Sequence, residues 1–281
     1  MDGLKLVNDS LGHHEGDNLL RAMADVLREA SRDGDVLGRW AGDEFVMLLP
    51  RTGAVEARHI AKRIQILSEG QKGKIIPLIA SVGVATRENR SQTLSEVFSE
   101  AEKTMYKYKT LTARDTRAAF ARSLKEILLE RTEETEAHMH NLQTLGRMLG
   151  ESLGLDEWHL RQIQLLSIYH DIGMVRIPES ILRKRGELTS EEIEIVQTHP
   201  ETGYRIACIA PDFQQAADAI LAHHEHWDGS GYPKGLRGSE IPLAARIHAI
   251  TDRFDKLIFG RSNSPAVSVT SALRELKVGA G

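Results

Sequence analysis

The stretch His223–Pro233 places the tightest constraint on what this chain can fold into. It begins with two adjacent histidines, continues through Glu225 and His226, and closes on a Gly-Ser-Gly turn followed by Tyr232 and Pro233. A surface helix has no need for paired imidazoles directly before a glycine-rich turn, whereas a metal-binding cradle does. The pattern therefore predicts a metal-binding helix end. The alternative is a His-rich, partly solvated helix terminus.

Length and composition indicate an ordinary globular chain with two domains. Its 281 residues suffice for two cores, and 41% hydrophobic with 27% charged residues is a usual balance. A net charge of −4 argues against binding a nucleic acid polymer, because such binding needs clustered cations. Cys208 is the single cysteine, and no run reaches about 18 apolar residues. We therefore expect a cytoplasmic protein without a membrane segment.

Residues 1–110 mix helical and strand patterns. Apolar residues at helical spacing predict three helices, over 17–32, 53–67 and 94–108. Short β-rich runs predict three strands, over 36–40, 46–49 and 75–86. The first two strands flank a Gly-containing turn and would form a hairpin. This order of helix, strand, strand, helix, strand and helix predicts an α+β domain.

The middle of the chain, residues 111–155, carries apolar residues at spacings of three and four from Leu124 to Leu153. This predicts one long amphipathic helix that runs from a linker into the second domain. Such a helix could pair with a second copy as a coiled coil, or it could pack on its own domain.

The region 130–281 is predicted to be all helical. Start and stop signals are Asp156, Gly173, Thr189, Asp212 and Pro242. They predict helices over 156–171, 193–198, 213–226, 242–259 and 271–277. Two helices would thus end on histidine-rich pairs, at 170–171 and at 223–226.

Nine of the twelve histidines lie between residues 138 and 248, several of them beside carboxylates. Glu134 and His138 are four residues apart and would share a helix face. His170 and Asp171 are adjacent, so their side chains point about 100° apart and can serve two neighbouring ions. A lone helical histidine is usually a core or surface filler, so the repeated proximity to carboxylates is what predicts a metal site.

Two further features favour a metal site. His223 and His224 repeat the adjacent geometry, and Asp252 lies mid-helix in a largely apolar stretch, where an unpaired carboxylate would be costly. Histidine and carboxylate donors without cysteine suit Fe, Mn or Zn, in a site of two or more metals.

These residues carry a resemblance to the HD-GYP domain, a metal-dependent subgroup of the HD phosphohydrolases that hydrolyses cyclic di-GMP. The matching segments are Glu134–His138, His170–Gly173, Ile177–Pro178, His199, His223–Glu225, Trp227–Pro233, Gly238, Ile241–Pro242, Ala245–Ile247 and Asp252–Asp255. The resemblance implies eight metal ligands, which are Glu134, His138, His170, Asp171, His199, His223, His224 and Asp252. It also implies that His170 and Asp171 are catalytic, with Asp171 as the bridging carboxylate. His226 is then expected to lie outside the ligand set.

The same resemblance implies hydrolysis of cyclic di-GMP to pGpG or GMP by a two-metal mechanism. The expected cofactors are two or three divalent metal ions, with Fe or Mn favoured over Zn. Substrate-binding residues would be Gly231, Tyr232, Pro233 and Arg261. Two departures stand out, which are Met174 where the family commonly has a phosphate-facing Lys, and the altered loop after Arg261. Arg176 is a hypothetical substitute for that Lys.

Residues 1–109 resemble a GGDEF domain, the diguanylate cyclase palm. The matching segments are Asp2–Lys5, Asn8–Asp9, Gly12–His13, Gly16–Asp17, Ala41–Phe45, Ser81–Ala85 and Met105–Lys109. By this resemblance Asn8 and Asp17 contact guanine, Asp43 binds metal and Glu44 is the second acidic residue of the turn. Arg32 and Asp35 match a regulatory cyclic di-GMP site, in which Arg grips a phosphate or stacks on guanine and Asp accepts from the guanine edge.

The GGDEF resemblance implies a ferredoxin-like palm whose first strand is missing. Ala41 replaces the first Gly of the turn, which is tolerated if its φ is negative. The family also places a metal-binding Asp two residues before Asp2, and the chain begins at Met1. We therefore predict a vestigial GTP site and a regulatory module that is not cyclase-active, in a chain that is a fragment of something longer.

The resulting domain organisation is a truncated GGDEF domain over 1–112, a linker helix over 113–133 and an HD-GYP domain over 134–281. The alternative function is a non-catalytic cyclic di-GMP receptor, favoured by Met174, the altered loop after Arg261 and the retained Arg32 and Asp35. An HD phosphohydrolase acting on another nucleotide is a third reading, against which the intact Gly-Tyr-Pro turn argues. Further expectations are a homodimer through the linker helix and GGDEF-domain partner proteins.

Overall fold

A computed structural model of the chain describes residues 1–70, 78–132, 134–209, 213–260 and 265–279. It divides into two compact units, Met1–Leu124 and Lys125–Gly281. None of the described helices combines the length and apolar character needed to cross a membrane.

The amino-terminal unit contains helices and a small sheet. Its helices are α1 (Leu4–Leu11), α2 (His13–Ala30), α3 (Ala54–Glu69) and the first part of α4 (Leu94–Arg131). The helical prediction for 17–32 is confirmed by α2, whose apolar stripe from Leu19 to Ala30 is buried. That stripe packs because apolar side chains three and four residues apart share one helix face.

The predicted hairpin is present. Strand β1 (Val36–Ala41) pairs antiparallel with β2 (Glu44–Leu48), with a register irregularity between Arg39 and Ala41. Gly42 takes a positive φ of 41° in the turn, while Ala41 does not have positive φ. The alanine is therefore tolerated for the reason expected from the sequence.

The predicted three-stranded α+β palm is not confirmed. Within the described residues the sheet has two strands, β1 and β2. The expected strand 75–86 lies partly outside the described residues, and the part from 78 onward makes one isolated bridge, Ile79 with Asp2. A β-branched run predicts strand propensity, but a strand also needs a neighbour along its length.

The prediction of one helix through 111–155 is wrong. Helix α4 ends at Arg131, and α5 (Glu136–Ser152) begins after Thr135, whose side chain accepts from the His138 backbone amide. Thr135 starts the second helix because its hydroxyl satisfies an amide that has no intrahelical partner. The predicted apolar stripe of α4, which includes Leu124, Ile127 and Leu128, is buried within the chain.

The carboxyl-terminal unit is all helical in its described residues, as predicted. After α5 its helices are α6 (Glu157–Tyr169), α7 (Glu179–Leu182), α8 (Ser190–Val196), α9 (His199–Ile209), α10 (Ala217–Leu221), α11 (Leu243–Phe259) and α12 (Val269–Val278). Short 3-10 turns lie at Ile172–Arg176, Gln214–Ala216 and Gly238–Glu240. Three predicted starts are confirmed, with Asp156, Thr189 and Pro242 at the N-caps of α6, α8 and α11.

Two predicted boundaries in this unit are wrong. The helix expected over 213–226 ends at Leu221, so the histidine pair follows α10 and is not part of it; Asp212, its predicted cap, lies outside the described residues. Gly173 does not end α6 either, because it lies inside the following 3-10 turn. In both places the structure has histidines in the irregular backbone that follows a helix, where side chains can converge from several directions.

Candidate metal centre

The first group of converging side chains contains Asp171, His199, His223 and His224. One ligand atom from each residue lies within 4.8 Å of the others. Asp171 follows α6, His199 begins α9, and the two adjacent histidines follow α10. The tertiary fold therefore brings three helix ends to one point.

The second group contains Glu134, His138 and His170, again with ligand atoms within 4.8 Å of one another. Asp252, from the middle of α11, adjoins it, because its Oδ1 lies 3.4 Å from His138 Nε2. Glu134 was expected on the same helix face as His138 but lies in the break before α5. It still reaches the site, with its Oε2 3.6 Å from His138 Nε2.

Asp171 connects the two groups. Its Oδ2 lies 3.6 Å from His170 Nε2, while its Oδ1 lies 3.2 Å from His199 Nε2 and 3.5 Å from His223 Nε2. One carboxylate oxygen thus faces each group, which is the arrangement a bridging ligand needs. His170 and Asp171 divide between the groups as predicted.

The prediction that His223 and His224 also point toward two different ions is not supported. His223 and His224 both belong to the Asp171 group, and their ring centroids are 4.1 Å apart. Adjacent residues diverge by a fixed angle only when both are helical, and these two follow the end of α10.

Three imidazoles are oriented by hydrogen bonds at Nδ1. His199 and His223 donate to the backbone carbonyls of Val196 at 2.8 Å and Ile220 at 2.6 Å, and His138 donates to Asp255 Oδ2 at 2.6 Å. A carbonyl or carboxylate oxygen can only accept, so Nδ1 carries the proton in each case. With the proton on Nδ1, Nε2 is the ring atom that can bind a metal ion, which is how ligating histidines are usually held. The Nε2 atoms of His199 and His223 lie 3.2 Å apart.

The electrostatics keep these donors ready to bind a cation. Burial lowers the pKa of His223, and it lowers that of His224 to about 2, where the neighbouring imidazoles add to the effect. Burial raises the pKa of Asp171, but the adjacent imidazoles of His170, His199 and His223 outweigh it, so the pKa lies well below its usual value. Neutral imidazoles beside an ionised carboxylate form a typical donor set for a divalent metal.

Asp252 is also held ionised. Burial raises its pKa, but the adjacent imidazole of His138 and the ammonium of Lys256 outweigh it and lower the pKa below its usual value. Lys256 lies one helical turn later on α11 and pairs with Asp252 Oδ2. This leaves Asp252 Oδ1 buried without a hydrogen-bond partner among the described residues.

Gly173 positions Asp171 through close backbone packing. A Cβ at this residue would lie 2.0 Å from the carbonyl oxygen of His199. Only glycine lets the 3-10 turn approach α9 this closely, and the approach brings Asp171 beside His199. The sequence prediction named the correct residue but assigned it the wrong role.

The loop Gly229–Pro233 folds back over the histidine pair. A Cβ at Gly231 would lie 2.3 Å from the His226 amide nitrogen, so this approach also requires glycine. Tyr232 stacks on His224 with ring centroids 4.8 Å apart and an interplanar angle of 19°. His226 is exposed and outside both groups, as expected.

Four residues with clear contacts in this region had no role assigned from the sequence. Glu225 is buried and accepts from the amides of Lys234 at 2.7 Å and Leu236 at 2.9 Å, which anchors the loop. Asp255 binds His138 and accepts from the Asn141 side chain at 2.8 Å. His248 and Lys256 complete the set, both on α11. Glu225 and Asp255 lie within segments that match the HD-GYP pattern, so their presence there was the available signal.

The substrate contacts predicted from the sequence include two arginines, Arg261 and Arg176. Arg261 lies outside the described residues. Arg176, the hypothetical substitute for the missing Lys, is exposed, and Met174 is half-buried.

In the amino-terminal unit Arg32 and Asp35 are brought together. Arg32 Nη1 lies 2.8 Å from Glu56 Oε1, and the Arg32 amide donates to Asp35 Oδ2 at 3.0 Å. They border a cavity of about 300 Å³ whose lining residues are Arg32, Asp35, Glu56, His59, Ile60 and Arg63.

The predicted GTP-site residues are placed as follows. Asp17 is exposed, Glu44 is half-buried, and Asn8 Oδ1 is buried without a hydrogen-bond partner among the described residues. Asp43 Oδ2 lies 3.7 Å from Lys109 Nζ, which is also 3.8 Å from Asp2 Oδ1. The side-chain ammonium of Lys109 therefore lies beside Asp43, the carboxylate that was expected to bind metal.

Comparison with known protein families agrees with both halves of this description. Residues 121–281 match the family described as HD domain, and residues 1–115 match the family described as diguanylate cyclase, GGDEF domain. The first match covers more than half of the chain, so the chain belongs to the HD domain family, as an HD-GYP-type protein with a GGDEF domain.

Individual relatives are similar over parts of their length. A cyclic di-GMP phosphodiesterase of Thermotoga maritima is 39% identical over 149 residues, which cover 52% of this chain and 40% of the relative. A cyclic di-GMP phosphodiesterase of Vibrio cholerae is 31% identical over 238 residues, covering 79% and 47%. A 3′3′-cGAMP-specific phosphodiesterase 2 of Vibrio cholerae is 39% identical over 151 residues, covering 53% and 29%. The chain spans less than half the length of each relative.

The residues present fit a metal centre of the kind this metal-dependent family uses. Buried polar atoms without hydrogen-bond partners among the described residues include His170 Nδ1, His248 Nδ1 and Asp252 Oδ1. Leaving such atoms unsatisfied costs about 1–3 kcal/mol each. A cation bound beside Asp252 Oδ1 would remove that cost for this carboxylate oxygen.

Proposed function

We propose that residues 134–281 form a metal-dependent phosphodiesterase that hydrolyses cyclic di-GMP to pGpG or GMP in bacterial second-messenger signalling. The observation that carries the proposal is the pair of ligand groups joined by Asp171. The Thermotoga and Vibrio relatives are cyclic di-GMP phosphodiesterases, which supports cyclic di-GMP as the substrate.

In this proposal the eight predicted ligands hold two or three divalent ions, with Fe or Mn favoured over Zn. Bound ions would activate a water and neutralise charge on the phosphate oxygens. The protein's part is to orient the donors, with His138, His199 and His223 each fixed through Nδ1. His170 and Asp171 are the residues on which catalysis depends most, because they tie the two groups together.

Substrate contacts are proposed at the loop that covers the histidine pair. Gly231, Tyr232 and Pro233 border the site, and Tyr232 lies directly against His224. Arg261 is retained as a proposed phosphate contact from sequence resemblance alone. Lys256 is a second proposed contact, because its ammonium lies beside Asp252 and its side chain is 40% exposed.

A second substrate, 3′3′-cGAMP, is favoured by one observation. The relative specific for that dinucleotide is as similar to this chain as the Thermotoga cyclic di-GMP enzyme is, at 39% identity. Both substrates carry the same phosphodiester linkages, and they differ in one base. The ligand groups would therefore serve either, and contacts to the bases would decide.

The GGDEF domain is proposed to be regulatory and not cyclase-active. In the structure Asp43, the carboxylate assigned to metal binding by resemblance, lies 3.7 Å from Lys109 Nζ, and Asp2 lies 3.8 Å from the same atom. Arg32 and Asp35, beside their cavity, are proposed to bind cyclic di-GMP as a regulatory ligand. Asn8, Asp17, Asp43 and Glu44 are then remnants of a GTP site.

The remaining parts of the proposal concern organisation. We place the domain boundaries at 1–112, 113–133 and 134–281, and we propose GGDEF-domain proteins as partners. A homodimer through the linker helix is weakened by the burial of Leu124, Ile127 and Leu128 within the chain.

The test is to load the purified chain with Fe²⁺ or Mn²⁺ and to follow cyclic di-GMP and 3′3′-cGAMP by chromatography. We expect pGpG or GMP from cyclic di-GMP, and no product from a variant carrying His170→Ala and Asp171→Ala. Activity that survives in this variant would show the metal assignment to be wrong. Binding of cyclic di-GMP without turnover would instead establish the receptor function.

A further inference from the structure

His248 occupies an unusual place in the carboxyl-terminal unit. It lies on α11 one helical turn before Asp252, so the two side chains share a helix face. Its ring centroid is 4.5 Å from that of His170 and 5.9 Å from that of His223. These two histidines belong to different ligand groups, so His248 lies where the groups meet.

The imidazole of His248 is also poorly satisfied. The residue is 3% exposed, and its Nδ1 is buried without a hydrogen-bond partner among the described residues. His138, His199 and His223 differ, because each gives its Nδ1 proton to an oxygen acceptor. A buried polar atom without a partner requires an explanation, since native structures contain few of them.

Packing alone does not explain the residue. The other buried positions of α11 include Ala244, Ala245 and Ile247, which are apolar, so an aliphatic side chain would fill position 248 without a desolvation cost. An imidazole among other imidazoles, beside the Asp252 carboxylate, gains most when its lone pair binds a cation.

We propose that His248 supplies a ninth donor to the metal centre, at the junction of the two ligand groups. The ligand is a first-row divalent cation, the class that imidazole and carboxylate donors select. This inference rests on the proposed metal centre and adds to it a residue that sequence reasoning did not place among the ligands.

The experiment uses the full chain and Co²⁺, whose visible absorption reports its donor set. His248→Leu removes the donor at similar volume, and His248→Phe removes it but keeps an aromatic ring against His170. The control is His140→Leu, which removes an exposed histidine from α5. Circular dichroism of the metal-free proteins checks that each variant is folded.

We expect both His248 variants to bind Co²⁺ at least about 10-fold more weakly at one site and to shift the absorption bands, while the control matches the wild type. Unchanged affinity and spectrum in folded variants would overturn the inference and leave the metal centre intact. Weaker binding in the leucine variant only, or with an unaltered spectrum, would show that His248 acts by packing and would also overturn it. Absence of Co²⁺ binding by the wild type would overturn the inference and the metal centre together.

Discussion

In the amino-terminal unit Asp2 and Asp43 face the ammonium of Lys109 at 3.8 and 3.7 Å, and Asp2 also accepts from the Ser81 hydroxyl at 2.6 Å. In the carboxyl-terminal unit Asp171 faces imidazoles at 3.2 to 3.6 Å. Each region contains a carboxylate expected to bind metal, Asp43 in the first and Asp171 in the second, but different groups face these carboxylates.

The difference lies in where the positive charge comes from. The lysine brings its own positive charge, so the chain itself offsets part of the negative charge of Asp2 and Asp43. The histidines around Asp171 include two whose pKa is lowered by burial, so they contribute lone pairs and little charge. In the carboxyl-terminal unit Asp252 pairs with Lys256, whereas Asp171 faces imidazoles, so we expect the group around Asp171 to need an external cation. Each prediction below tests this contrast, from the largest expected effect to the smallest.

The largest effect is expected from removing one carboxylate from each region. Asp171→Ala should lower turnover of cyclic di-GMP at least ~100-fold, because metal-ion catalysis supplies several kcal/mol. Asp43→Ala should leave turnover unchanged within about twofold, since no metal is expected there. Initial rates under saturating metal and substrate measure both. An equal loss in the two variants would break the contrast.

The second prediction concerns the carboxylate behind His138. Asp255→Asn should weaken metal binding by about 10–100-fold, because the anion that orients the imidazole and raises its basicity is lost. Competition with a coloured chelator measures the affinity. Asp218→Asn, at an exposed position on α10, is the matched control. Unchanged affinity in Asp255→Asn would mean that His138 is positioned by other contacts.

The third prediction concerns pH and the metal-free chain. The pKa of His224 falls from 6.5 to about 2 on folding, so below pH 6.5 the unfolded chain takes up a proton that the folded chain does not. Stability should be greatest above pH 6.5 and should fall by up to ~1.4 kcal/mol per pH unit below it.

Denaturant unfolding of the Trp40→Phe variant, followed by fluorescence, measures the stability of the carboxyl-terminal unit. The remaining tryptophans, Trp158 and Trp227, both lie in that unit. Adding His224→Gln should reduce the slope between pH 6.5 and 5. A stability that does not change over this range would contradict the neutral state assigned to the buried histidines.

The smallest effect is expected in the amino-terminal unit. Lys109→Met should destabilise that unit by about 1 kcal/mol, the scale of a partly exposed ion pair, since Lys109 is 38% exposed. The unfolding midpoint, followed by Trp40 fluorescence in a Trp158→Phe, Trp227→Phe background, measures it. Lys107→Met, which changes an exposed lysine nearby, is the control. If the two variants are equally stable, Lys109 does not neutralise the cluster.

Much of the carboxyl-terminal site could be predicted from the sequence because its residues occur in short, spaced motifs. His170 with Asp171 and His223 with His224 were identified from adjacency and from resemblance to a family. His248 and Lys256 were not identified as site residues, because each is a single residue on an amphipathic helix. The helix face that a lone residue presents to a site is set by packing between helices.

The backbone around the site could be predicted less well. Apolar spacing alone extended one helix through 132–135 and another to His226, because periodicity does not show where a chain must turn. In the structure the first ends at Arg131 and α5 begins anew after Thr135, and the second ends at Leu221. Gly173 and Gly231 were visible as glycines, but the backbone atoms that exclude a Cβ come from residues distant in the chain or from a fold-back of the loop.

The sequence by itself determined the all-helical carboxyl-terminal unit, the hairpin of the amino-terminal unit, and the chemical types of the metal donors. These follow from periodicity, turn residues and side-chain chemistry, which are local properties. Only the tertiary structure decided how the donors divide into two groups, which oxygen of Asp171 faces each, and that Lys109 lies between Asp2 and Asp43. Those depend on distances between residues far apart in the chain, and such distances are fixed by packing.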